Sequence, residues 1–147
     1  MATVDLVRPT ANRRLEPYTK PASTAFAFRI LLAADEDATT QAFAAASAST
    51  ERVLGVSNFT IVSGDSDYAT ANKRPVLVDE GGIWKFAVGT GTADANDEQG
   101  YIDLKDEDEV DVTASSVDNV FVTAFISATS VLGKIVGWVG LDRPSVH

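Results

Sequence analysis

The chain has 147 residues, 45 % of them apolar and 22 % charged, with a formal net charge of −9; this suits one soluble domain with a buried core. It contains no cysteine, which excludes disulfides, thiolate nucleophiles and zinc–thiolate sites. A sequence pI of about 4.4 argues against a general nucleic-acid binder, because phosphate attraction needs a positive face.

Asp5, Arg8 and Pro9 fall where the apolar centre of a signal peptide would lie. No apolar run approaches the roughly 20 residues needed to span a bilayer. The expectation is a soluble protein made in the cytoplasm, with no membrane or nucleic-acid partner. Residues 1–21 read as an extended N-terminal arm ahead of a β-rich domain over 22–147. Pro9, Pro17 and Pro21 fix φ, remove donors and turn their predecessors away from helix. From Val7 to Pro21 the arm is basic, with Arg8, Arg13, Arg14 and Lys20 against Glu16. Two readings stay open: a disordered terminus, or a segment that orders on a partner.

Phe26, Phe28, Ile30 and Leu32 alternate with smaller or polar neighbours and predict a first strand over Ala25–Ala33. Residues 35–50 are alanine-rich, with Asp35, Glu36 and Asp37 at the front, and predict a short helix or a loop. Val53, Leu54, Val56, Phe59, Ile61 and Val62 predict one or two short strands around Gly55. A polar loop follows over 64–73. Val76–Val78 and Ile83–Val88 read as the arms of a hairpin turning at Gly81 and Gly82. Further strands are predicted over 101–104, 109–114, 119–127 and 134–140. The fold class is therefore mainly β: a single antiparallel barrel or sandwich-like domain with at most one short helix.

No catalytic constellation emerges. The single histidine is His147, the last residue. Ser63–Asp67 lacks the Gly-x-Ser-x-Gly of a nucleophile elbow and reads as a turn. Asp94, Asp97, Glu98, Asp103, Asp106, Glu107, Asp108, Glu109 and Asp111 form an acidic run interrupted by Lys105. Counted as an EF-hand from Asp94, the run puts Gln99 at the glycine position and Lys105 at the bidentate glutamate position, so that pattern fails. Such a run reads first as a solvated face. Gly89–Ala95 contains a Gly-x-Gly, but acids follow it and would repel phosphate. Trp84 and Trp138 read as core residues, with an intersubunit position as the alternative.

The segments "RVLGV", "RPVLVDEGGIWKFAVGTGTA", "GYIDLKDEDEVDV" and "GKIVGWVG" resemble the head decoration, or capsid cement, proteins of tailed bacteriophages. Val76–Ile83 match a V-L-V-x-x-G-G-I/V hairpin of that family, and Gly133–Val139 loosely match its C-terminal motif. The resemblance covers 52–140 and carries no catalytic residue, cofactor or metal. It implies a non-enzymatic virion protein on the outer capsid surface, cementing neighbouring major capsid subunits as a homotrimer. In that picture Arg8, Arg13, Arg14, Tyr18 and Lys20 form a docking strap. Trp84 and Trp138 are then candidates for intersubunit packing. Deleting residues 1–21 is expected to leave a folded domain that binds capsids poorly. The alternatives are a receptor- or carbohydrate-binding β domain of a phage tail or fibre, using Tyr68 and Tyr101 from loops; a small metal-assisted hydrolase using the acidic run; and a minor capsid or tail-tube component.

Overall fold

The computed structural model describes residues 3–17, 28–34, 43–50, 52–68 and 75–137. In chain order these form β1 (Asp5–Arg8), β2 (Arg13–Pro17), β3 (Leu31–Ala34), β4 (Phe43–Ala45), β5 (Val53–Ser57), β6 (Pro75–Asp79), β7 (Ile83–Thr90), β8 (Tyr101–Leu104), β9 (Glu109–Asp111), β10 (Val120–Ser127) and β11 (Ser130–Ile135). A single 3₁₀ turn over Ala95–Asp97 completes the described secondary structure. The molecule is mainly β, and part of it is a closed barrel, as the alternating sequence predicts.

The barrel follows the order β7-β11-β10-β8-β9, and β9 returns to pair with β7. That closing ladder is parallel, whereas the other ladders of both sheets are antiparallel. Closure removes the unpaired edges that an open sheet leaves exposed. Period-two alternation decides which side chains fill the interior. Trp84 and Phe86 of β7 and Val120 and Val122 of β10 are buried, while Lys85 between the first two is exposed. A five-stranded barrel is narrow, so bulk must be offset by a small partner. Gly133 of β11 lies opposite Trp84, and a Cβ there would sit 2.5 Å from Val120 Cγ1. The β10–β11 hairpin tip is pinned in turn, since Val88 N–H donates to Thr129 O and Ala93 N–H donates to Ala128 O, both at 3.0 Å.

The second sheet has the order β2-β6-β5-β3-β4. One apolar cluster joins it to the barrel, from Leu31, Val56 and Leu77 through to Trp84, Phe86 and Val110. Backbone bonds cross between the two: Leu31 N–H donates to Glu107 O at 2.8 Å, and Val53 N–H donates to Gly137 O at 3.1 Å. Buried Asn119 adds another tie, accepting from Leu104 N–H at 3.0 Å while its amide donates to Thr50 O.

Several expectations are corrected. The predicted hairpin at Gly81–Gly82 is a corner: β6 and β7 do not pair with each other but belong to different sheets. Gly81 has a φ of 85°, and Gly82 N–H closes the turn onto Asp79 O at 3.2 Å, which is the geometry a type II turn demands at its third residue. Residues 5–8 and 13–17 do not stand off as an arm. β1 pairs with β7 (Leu6↔Trp84) and β2 with β6 (Leu15↔Leu77), so two antiparallel strands bend round the same corner together. Val4 is fully buried in the core. Phe28 and Arg29 form a turn rather than a strand, and β3 starts at Leu31. The helix-or-loop segment over 35–50 contains β4 in its second half, followed by a turn over 48–49; residues 35–42 lie outside the described residues. The last predicted strand runs earlier, over Ser130–Ile135.

Candidate functional site

The corner is organised around Asp79, whose side chain is buried at the end of β6. Its carboxylate accepts from Thr10 N–H at 3.0 Å, and the Thr10 hydroxyl lies 2.5 Å from the same oxygen. Arg13 Nε stands 3.7 Å from the other oxygen. A Cβ on Gly82 would come within 2.7 Å of Asp79 Oδ1, so glycine there leaves room for the carboxylate. Arg14 pairs with Glu80 on the turn itself. Two arginines of the predicted strap thus face carboxylates of their own domain. Arg8 is exposed on β1, while Tyr18 and Lys20 lie outside the described residues. Apolar side chains accompany these cations: Val7 and Leu15 are each more than half exposed on β1 and β2.

Beside β2 lies a groove of about 370 Å³ lined by Arg13, Arg14, Leu15, Arg29, Asn58 and Leu77. Arg29 enters it from the Phe28–Arg29 turn, where φ is 63°. That left-handed backbone costs a side-chain-bearing residue on the order of 1 kcal/mol.

The acidic run is less solvated than its composition suggests, because most of its carboxylates serve local backbone. Asp94 and Asp97 form a reciprocal capping box around the 3₁₀ turn. Glu98 Oε1 accepts from Phe125 N–H at 2.8 Å, and Asp111 Oδ1 from Thr113 N–H at 2.8 Å. Asp103 is buried and accepts from the amides of Ser116, Val117 and Asp118 and from the Ser116 hydroxyl, at 2.7–2.9 Å. Burial alone would raise its pKa; the Asp118 and Ser116 bonds, with Val117, outweigh it and hold the carboxyl below 3.8.

Carboxylate oxygens of Asp106, Asp108 and Glu109 come within 4.8 Å of one another. Burial, a hydrogen bond to Asp106 and the negative charges of Asp106, Glu107 and Glu109 push Asp108 up to about 7. A compensating cation is already present: Lys105 Nζ lies 2.8 Å from Glu109 Oε2 and 3.9 Å from Asp106 Oδ2. The Glu109 bond raises the lysine pKa. Gly89 lets this pair approach β7, since a Cβ there would collide with Glu109 Oε2. The knot lies where the barrel meets the second sheet, through the Ser47–Asp106 bridge and the Leu31–Glu107 bond.

Trp84 is fully buried in the barrel, so the intersubunit role considered for it is corrected to core packing; Trp138 lies outside the described residues. Tyr101 is on β8 rather than a loop, and its ring packs edge-on against Phe121, with centroids 5.2 Å apart. Tyr68 is half-buried against the core. Three positions escaped the sequence reading. Asp79 is not singled out, Asp103 reads within the acidic run as part of a solvated face, and Arg29 as an alternating residue of the first strand. A carboxylate within an apolar strand, as in "PVLVD" and "YIDL", was the signal available for the first two. Comparison with protein-family models, curated proteins and solved structures finds no match.

Proposed function

We propose that this protein is a structural virion component that binds the outer surface of an assembled phage capsid and braces neighbouring major capsid subunits, acting as a trimer. The observation that carries this reading is the face made by β1 and β2. Val7 and Arg8 on β1 and Arg13, Arg14 and Leu15 on β2 are all exposed, on strands locked to the barrel and to the second sheet. Exposed apolar side chains on strands that also carry arginines suit association with an acidic protein surface, with Arg8 available to pair with its carboxylates and Arg13 and Arg14 already facing Asp79 and Glu80. A rigid strand pair loses little conformational freedom on docking, unlike a flexible arm. Trimerisation and a repeating lattice multiply modest contacts through effective concentration. The resemblance noted for 52–140 also supports the reading: its V-L-V-x-x-G-G-I stretch is the stretch that builds the corner.

The test is sedimentation. The purified protein is expected to have a mass three times its 15.6 kDa chain and to pellet with assembled capsids of its phage at a fixed copy ratio. The double variant Val7→Asp with Leu15→Asp is expected to stay folded and lose most capsid occupancy. Full occupancy by that variant rejects the β1–β2 face as the docking surface.

A further inference from the structure

The Phe28–Arg29 turn holds a side chain that neither the barrel nor the corner uses. Arg29 N–H donates to Ser57 O at 3.0 Å, and Arg29 O accepts from Val4 N–H at 3.1 Å. Phe28 N–H donates to Thr60 Oγ1 at 3.1 Å, and Ile30 N–H to Ser57 Oγ at 3.0 Å. The backbone is therefore clamped on both sides, and the guanidinium leaves from a fixed point. Its Cζ lies 5.1 Å from the centroid of the Phe28 ring. Its Nη1 is buried and has no acceptor among the described residues. Buried donors are nearly always satisfied, and a charged donor left without an acceptor is costlier still. A φ of 63° favours glycine or asparagine, so the backbone gives no reason for arginine at this position.

Arg29 opens on the groove beside β2. Leu15 and Leu77 are cross-strand partners there and supply an apolar wall, with Leu15 56 % exposed. Among the described residues β2 pairs only with β6 and is the terminal strand of its sheet, the position at which a further strand can add. Arg13 and Arg14 of the groove face Asp79 and Glu80, so its cationic character comes from Arg29, set beside an apolar wall at the terminal strand of the sheet in a chain whose net charge is −9.

We infer that this groove binds an extended, acidic segment of a partner protein. A carboxylate side chain of the segment pairs with the part of the Arg29 guanidinium that lines the groove. An adjacent apolar side chain packs on Leu15 and Leu77. The segment backbone lies along the outer edge of β2, as in strand addition. This takes the docking reading as its frame for what the partner is, but the chemistry of the groove does not depend on a capsid.

The test uses isotope-labelled full-length protein and two synthetic hexapeptides, one alternating glutamate with valine and one alternating lysine with valine. The glutamate peptide is expected to shift the amide resonances of Arg13, Leu15, Arg29 and Asn58, and the lysine peptide to leave them unmoved. Arg29→Asn keeps a residue suited to the left-handed turn and is expected to weaken glutamate-peptide binding roughly ten-fold, the loss of one charge-assisted pair. Free glutamate is expected to bind far more weakly than the peptide. Equal binding of both peptides, unchanged affinity in Arg29→Asn, shifts confined to other surfaces, or free glutamate matching the peptide would each overturn the inference. So would Arg29-dependent self-association, which makes a second copy the occupant. Capsid sedimentation run in parallel separates the two readings. Peptide binding without capsid binding sinks the capsid and keeps the groove; Arg29→Asn protein that binds capsids undiminished, with no peptide binding in the wild type, does the reverse.

Discussion

Asp103 and Asp108 stand five positions apart and respond to pH in opposite directions. Asp103 keeps its proton less readily than an ordinary carboxyl because four donors converge on it. A group whose folded pKa is depressed stabilises the fold above its unfolded value, here 3.8, and that contribution is lost as pH falls through the folded value. Asp103→Asn puts an amide N–H₂ among donors and is expected to cost about 2–3 kcal/mol at pH 7, with the difference shrinking below pH ~4. Asp108 is the reverse case, raised to about 7 from 3.8. Its stabilising contribution is complete below 3.8 and is lost as pH rises through about 7. Asp108→Asn can donate to Asp106 without a titrating proton. It is expected to be more stable than the wild type at pH 8, by on the order of 1–3 kcal/mol, and to converge with it near pH 4. Urea unfolding of both variants at pH 4, 6 and 8 checks the two signs. The sequence showed both residues as members of one acidic run. What separates them is burial and donor count, which depend on where the 114–118 loop and the barrel seam come to lie.

The paired bend of β1–β2 around β6–β7 makes the N-terminal strands part of the domain. Removing residues 1–17 strips partners from β6 and β7 and takes Val4 out of the core. The truncated chain is therefore expected to lose its cooperative thermal transition, rather than to remain folded as the arm reading implies; circular dichroism across a melt decides this. Asp79→Ala leaves Thr10 N–H and the Arg13 guanidinium without their carboxylate and is expected to cost about 2–3 kcal/mol. In the barrel, Gly133→Ala drives a methyl into Val120 and is expected to cost about 1–3 kcal/mol by overpacking. Strands 101–104 and 120–127 were legible because each is a short run rich in β-branched and aromatic residues bounded by turn residues. The corner was not, because a Gly-Gly turn between two apolar runs reads as a hairpin whether the runs pair with each other or with third parties.

At the scale of the whole molecule, the barrel and the second sheet share one core and several backbone bonds. They are expected to unfold together, with tryptophan fluorescence and far-UV circular dichroism giving the same urea midpoint. Separate midpoints would show that the sheets are independent units. The acidic knot at the seam, from Lys105 to Glu109, ties that cooperativity to pH through Asp108.

By itself the sequence determined the β class, most strand positions in the C-terminal half, the absence of thiol chemistry and the imbalance between a basic start and an acidic remainder. These follow from local alternation, turn residues and composition, which act over a few positions. Tertiary structure alone decided that the basic start is two strands of the domain, that Gly81–Gly82 joins two sheets, that Trp84 fills the barrel, and that Arg29 faces a groove with an unsatisfied donor. Each of those depends on which strand meets which across many tens of residues. Alternation fixes the face a side chain takes but says nothing of its partner.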